Sequence, residues 1–121
     1  MKTISWSDFE KVEIRVGTVL TAERFPEARN PAFKMTIDFG PLGVRQTSAQ
    51  ITKRYAPAQL VGRQVLAVTN FPPKKIAGFR SEVLVLGAVP GEGDVVLLNV
   101  DEKVPEGLYS NRCQPCKEYR G

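Results

Sequence analysis

The sequence predicts an all-β domain, a small closed or nearly closed barrel, on three observations. Five or six short apolar runs carry the two-residue alternation of half-buried strands. Glycine and proline, ten and nine of them in 121 residues, separate those runs as turns. One short helical stretch falls between the third and fourth runs, which fits a five-stranded OB-fold barrel with short helices and N- and C-terminal extensions, although by pattern alone a sandwich of similar strand count reads alike. A chain of this length makes one domain that can bury a core without disulfides.

The elements follow in order. Ser5–Lys11 reads as a short helix, with Ser5 as N-cap and Asp8 three residues on as an acidic form of the capping box. Trp6 and Phe9 share a face of it, to close a barrel end or to meet a second subunit. Val12–Phe25 alternates as a long strand, and Gly17 suggests a bulge where that strand bends. Pro26–Pro31 is a loop, and Phe33–Phe39 the cleanest alternation in the chain. Val44–Ala49 is a third strand, and Ile51–Leu60 a helical stretch broken by Pro57. Arg63–Thr69 and Glu82–Val89 are the next strands, separated by a loop at Asn70–Ser81, and Val95–Val100 is the last. The domain is expected over residues 1–108, with a tail over 109–121.

Composition narrows the function. There is no histidine, which removes the commonest general base and the commonest metal ligand. Glu13, Asp38 and Glu82 are the best-placed carboxylates, but each alternates with apolar neighbours as a solvent-facing strand residue does, so no catalytic role is assigned. The Cys113-Gln114-Pro115-Cys116 pair is too small for a tetrahedral metal site in one chain and lacks the βαβ context of a redox motif. Neither cofactor nor metal is expected. The first residues lack the apolar core of a signal peptide, and no run approaches the ~18 apolar residues of a membrane span. A soluble, cytoplasmic protein without membrane insertion is expected.

The net charge of +4 is unevenly spread. Residues 39–81 hold no acid but seven cations, Arg45, Lys53, Arg54, Arg63, Lys74, Lys75 and Arg80. Such a segment suits a positive face that meets an anionic or mixed partner. Within it, the stretch Asn70–Ser81 sets Phe71, Ile76 and Phe79 beside Lys74, Lys75 and Arg80. Pro72 and Pro73 stiffen it, and Gly78 permits a turn. Each of these apolar side chains can point into the barrel or outward. Pointing outward, they make an apolar groove with cationic edges. Two or three captured anchors would supply roughly 4–8 kcal/mol, and after ordering costs the binding is micromolar at best. Weak, sequence-tolerant capture suits a carrier that must hand its cargo on. The same face also suits RNA, with bases stacked on Tyr55, Phe71 and Phe79 between the cations.

The stretch from Val12 to Gly40, V-E-I-R-V-G-T-V-L-T-A-E-R-F-P-E-A-R-N-P-A-F-K-M-T-I-D-F-G, resembles the opening of the tRNA-binding-domain family of OB-folds, which also occurs as an appended domain of methionyl- and phenylalanyl-tRNA synthetases. Ser48–Tyr55, Asn70–Gly87 and Pro90–Leu98 resemble the protein-secretion chaperone branch of that family. The resemblance covers about residues 7 to 108. It implies a homodimer that binds unfolded preproteins, with the export translocase as a further partner and tRNA as a weaker one. The tRNA-binding members typically read S-G-I where this chain has Ser48-Ala49-Gln50-Ile51, and E-S-x-G-M where it has Arg80-Ser81-Glu82-Val83-Leu84. Those departures favour the peptide-binding branch.

The candidate peptide-binding residues are therefore Phe71, Pro72, Ile76, Phe79, Tyr55, Ser48 and Gln50. The basic rim, or RNA-binding set, is Lys53, Arg54, Lys74, Lys75, Arg80 and Ser81. Its cations would reject the positive start of a signal segment and favour mature or acidic stretches of cargo. The candidate dimer contacts are Trp6, Phe9, Val95 and Leu97.

Overall fold

A computed structural model describes residues 1–110; Cys113 and Cys116 lie outside the described residues. The chain runs α1 (Trp6–Glu10), β1 (Ile14–Arg24), β2 (Phe33–Asp38), β3 (Val44–Ala49), α2 (Pro57–Leu60), β4 (Gln64–Val68), β5 (Lys74–Ile76), β6 (Phe79–Ser81), β7 (Leu84–Val85), β8 (Gly87–Gly91) and β9 (Asp94–Leu97). Five strands form one antiparallel sheet in the order β3-β2-β1-β4-β7. β5 pairs with β6, and β8 with β9, as two separate hairpins. The sheet curls until β3 meets the chain around Ser81–Val83, a nearly closed barrel of the expected class.

The alternation in β2 is realised side chain by side chain. Phe33, Met35 and Ile37 are buried, whereas Lys34, Thr36 and Asp38 are half-buried on the outer face. With Val19, Phe39, Leu60 and Val65 they make the core. β1 is long because it serves two neighbours, β4 along Ile14–Thr18 and β2 along Thr18–Arg24. Its register breaks between Val19 and Thr21, so the bulge lies at Leu20 and not at Gly17. Gly17 pairs regularly with Val65 and has a different task. A Cβ there would sit 2.5 Å from Ile37 Cγ2 and 2.6 Å from Phe39 Cε1, so glycine lets the two core side chains reach the strand.

Three other elements differ from the sequence expectation. Pro57 does not break a helix; it starts the single turn α2, where its fixed φ and missing N–H do no harm. The Glu82–Val89 run is two strands, because after β7 the chain leaves β4 and pairs with β9 instead. Gly87 marks that switch, as a Cβ there would lie 2.9 Å from the Val96 carbonyl oxygen. The third difference is Asn70–Ser81, which contains the β5–β6 hairpin. At the N-terminus the capping box is present as read: Ser5 Oγ accepts from Asp8 N–H at 3.0 Å, and Ser5 N–H donates to the Asp8 carboxylate at 3.1 Å.

Pairing with β1 continues two residues past the expected boundary at 108. Gly107 and Ser110 donate to the carbonyls of Val16 and Ile14, and Val16 donates to Leu108. Arg15 fastens this strap, donating to the Gly107 carbonyl at 2.7 Å and the Tyr109 hydroxyl at 2.9 Å while lying over the Tyr109 ring. Glu13 accepts from Arg15 at 2.6 Å, and that bond is the main reason its carboxyl titrates below the usual range. A second ion pair joins Arg54 to Asp94 through two parallel bonds of 2.5 and 2.8 Å, tying the approach to α2 onto β9.

Two predictions follow from this packing. Gly17→Ala should lose about 1–3 kcal/mol in urea unfolding, because the core has no room for the methyl. The second concerns pH. Hydrogen bonding from Arg54, then the charges of Arg54 and Lys53, hold the Asp94 carboxyl below its ordinary value. A depressed folded pKa gives stability that is full above about pH 4 and is lost as pH falls through the folded value. The urea midpoints of wild type and Arg54→Met should therefore differ at neutral pH and converge in acid; a constant gap would count against the pairing.

Candidate functional site

A groove of about 550 Å³ lies between the end of β3, the β5–β6 hairpin and β7. It lies where the loop between the fourth and fifth barrel strands meets strand three, a region OB-folds use for extended ligands. Ile51, Val83 and Val85 form its apolar depth, with Phe71 and Leu84 at the mouth. Phe71 is 54% exposed and Leu84 49%, high values for large apolar side chains.

The hairpin makes one wall. Its strands join through Ala77 and Gly78, at φ 48° and 80°, the left-handed pair that a two-residue turn needs. Alternation then turns Lys74 and Ile76 to the groove, together with Ser81. Lys75 and Arg80 face each other across the strands and alternate away from those residues. Phe79 shares the face of Ile76 but lies beyond the groove, edge-on to Phe25 with ring centroids 5.5 Å apart. Lys34 caps both rings at 4.5 and 5.3 Å. Phe79 is thus a clasp between the hairpin and the β1–β2 loop.

The opposite wall is β3 and its continuation. Ser48 and Gln50 line the groove as the sequence suggested. Ser81 is buried, accepting from Ser48 N–H at 3.0 Å and meeting Thr47 Oγ1 at 3.1 Å, so its hydroxyl is engaged in the seam. Glu82 lines the groove while its carboxylate accepts from Gln46 N–H at 2.9 Å.

Of the predicted peptide-binding residues, the structure brings together Ser48, Gln50, Phe71, Pro72 and Ile76, and leaves out Phe79 and Tyr55. The Tyr55 hydroxyl accepts from Leu97 N–H at 3.1 Å, and its ring lies under Arg63. The basic rim shrinks to Lys74. Lys53, Lys75 and Arg80 are exposed but do not line the groove, and Arg54 is committed to Asp94. Of the predicted dimer contacts, Trp6 and Phe9 are half-buried with rings 6.3 Å apart. Val95 lines the groove, and Leu97 is 8% exposed in the core. Leu97 alternates inward from β9, which removes it from any outer contact. The candidate set lacked Ala49, Ile51, Glu82, Val83, Leu84 and Val85, which also line the groove. The apolar character of most of them was visible, but reading residues 82–89 as one strand hid the change of pairing partner between β7 and β8.

Among the described residues, no cluster of three or more acidic, cysteine or histidine side chains could hold a metal ion. The carboxylates considered for catalysis are occupied otherwise: Glu13 and Glu82 as above, and Asp38 as acceptor from Gly40 N–H at 2.8 Å. No helix among the described residues is long and apolar enough to cross a membrane. The arrangement offers an open apolar surface with one cation at its edge, suited to binding.

Residues 14–108 match the model of the family described as "Putative tRNA binding domain". Among solved structures, the chaperone CsaA of Bacillus anthracis superposes with a TM-score of 0.87 at 55% identity, over 90% of this chain and 99% of that one. The CsaA chaperone of Picrophilus torridus gives 0.83 at 44% identity, over 89% and 99%. The methionine–tRNA ligase of Porphyromonas gingivalis is 42% identical over 103 residues, 84% of this chain but 15% of the ligase. The chain thus spans only a small part of that ligase. The chain therefore belongs to the tRNA-binding-domain family and has strong structural likeness to the CsaA chaperones.

Proposed function

We propose that the protein is a non-catalytic, cytoplasmic protein-export chaperone that holds unfolded preproteins in the groove between β3, the β5–β6 hairpin and β7. The observation that carries this reading is the pair of exposed anchors, Phe71 and Leu84, over an apolar floor. An unfolded chain has apolar side chains to bury and no fixed shape to match, and an open groove accepts many sequences at low affinity. The CsaA likeness supports it, as does Leu84, which stands where the tRNA-binding members typically carry methionine. The export translocase is the partner to which such cargo would pass.

The working unit in this reading is a homodimer, in which two grooves raise the avidity for one long chain. Subunit contact is assigned to α1, whose Trp6 and Phe9 leave apolar surface outside the core. A second reading, tRNA binding, is favoured by the family match over residues 14–108.

One experiment separates the two readings. Labelled bulk tRNA and a labelled unfolded preprotein peptide are titrated at about 50 and 200 mM salt; phosphate binding should weaken by roughly 0.7–0.9 log units per decade of salt for each phosphate neutralised. Salt-tolerant peptide binding with weak tRNA is the expected outcome. Tight, salt-steep tRNA binding without a peptide signal would replace the chaperone reading by the second. Leu84→Asp, an exposed change, should lower peptide affinity about tenfold or more, since it loses an apolar anchor of about 1.5–3 kcal/mol. Trp6→Ala should convert the dimer to monomer in sedimentation, and an unchanged mass would remove α1 from the contact.

A further inference from the structure

Two strand edges bordering the groove are left open by the fold. Along an antiparallel strand, one residue exchanges bonds with its neighbour and the next turns its N–H and C=O to the other edge. In β3 the register with β2, together with the bond from Phe39 N–H to the Gly43 carbonyl at 3.1 Å, gives Arg45, Thr47 and Ala49 to β2. Gln46 and Ser48 therefore face the opposite edge, where their N–H groups reach the side chains of Glu82 and Ser81. The Ser48 carbonyl is not so served. The Thr47 hydroxyl lies 3.4 Å from it, but that hydroxyl has one proton and gives it to the Val83 carbonyl at 2.7 Å.

β7 repeats the pattern. Leu86 N–H donates to the Leu66 carbonyl at 2.9 Å, so in the β4–β7 register Leu84 and Leu86 serve β4 and Val85 turns away from it. Neither the N–H nor the carbonyl of Val85 has a hydrogen-bond partner among the described residues. Ser48 and Val85 both line the groove, so the two open edges border one apolar space. Every step in the order β3-β2-β1-β4-β7 is antiparallel, which leaves β3 and β7 running in the same direction. One segment can lie between them antiparallel to both.

We propose that the groove takes its cargo as an added β-strand: an extended segment of unfolded polypeptide lies between β3 and β7, with its backbone paired to Ser48 and Val85. This rests on the polypeptide reading of the groove and names the class of segment it accepts. Strand addition recognises main chain, which all sequences share, and it satisfies polar groups that are costly to leave unpaired. Successive side chains of the segment then alternate between the floor at Ile51 and Val83 and the mouth at Phe71 and Leu84. Lys74 on the rim is exposed and enters no ion pair among the described residues, so charge complementarity sets an Asp or Glu of the segment beside it. The occupant is a short, proline-free, β-prone stretch with an acidic residue, and not a helix.

The test uses the full chain and a labelled heptapeptide of alternating valine and threonine with one glutamate near its end. Two analogues keep every side chain but carry an N-methyl group on one or the other of two adjacent central amides. Adjacent amides face opposite edges, so each analogue should bind roughly five- to tenfold more weakly than the parent. Hydrogen exchange at the Val85 amide should slow when the parent is bound, while Ser110 in the strap keeps its rate. Lys74→Gln should abolish the preference for glutamate over glutamine in the peptide, a difference of about fivefold or less. Analogues that bind as the parent does, or a Val85 amide that stays unprotected, overturn the proposal. So do displacement of the peptide by bulk tRNA and dissociation of a dimer by the peptide, which would give the edges to RNA or to a second copy of the chain. Parent binding that ignores N-methylation but is lost in Leu84→Asp removes the added strand and leaves the groove reading standing. Absence of binding by every peptide removes both.

Discussion

Thr47 has no exposed surface where β3 meets the chain after the hairpin, and its hydroxyl donates to the Val83 carbonyl at 2.7 Å. Ser81 Oγ lies 3.1 Å away and takes the Ser48 N–H, while Glu82 N–H donates to the Gln46 carbonyl at 2.9 Å. This seam stands in for a regular ladder where the sheet curls back on itself. Buried polar groups left without partners are costly, so the seam holds only if all its members are present together. Both groove walls hang from it, β3 on one side and the hairpin with β7 on the other.

Much of the barrel was legible because strand alternation has a short period and needs no knowledge of distant residues. Phe33, Met35 and Ile37 announced the buried face of β2 by spacing alone. What could not be read were decisions made by contacts far away in sequence. Gly17 looked like a bulge because local alternation stopped there, but its small size answers to Phe39, a neighbour only in space. Pro57 looked like a breaker because nothing local showed that the helix would begin at it. The groove was half legible for the same reason: the residues from Phe71 to Ile76 were visible as an apolar and cationic cluster, whereas the arrival of Val83 and Val85 depended on the switch of partner at Gly87.

The cations show how composition can mislead about place. Seven positive residues in an acid-free segment suggested one basic face. Folding distributes them by chemistry: Arg54 goes to Asp94, Arg63 lies over Tyr55, and Lys75 and Arg80 stand opposite each other on the hairpin. Like charges so placed repel and gain little from the fold itself. Only Lys74 remains beside the apolar groove. The groove itself is defined by shape and apolar area more than by charge.

The strap from Gly107 to Ser110 covers one edge of β1 over Ile14–Val16, while β4 covers the other. A strand with both edges satisfied offers no template to another chain. Unpaired backbone of another chain adds to an open strand edge, and an uncovered first strand would offer one. The strap therefore keeps β1 from serving as a site of edge-to-edge association.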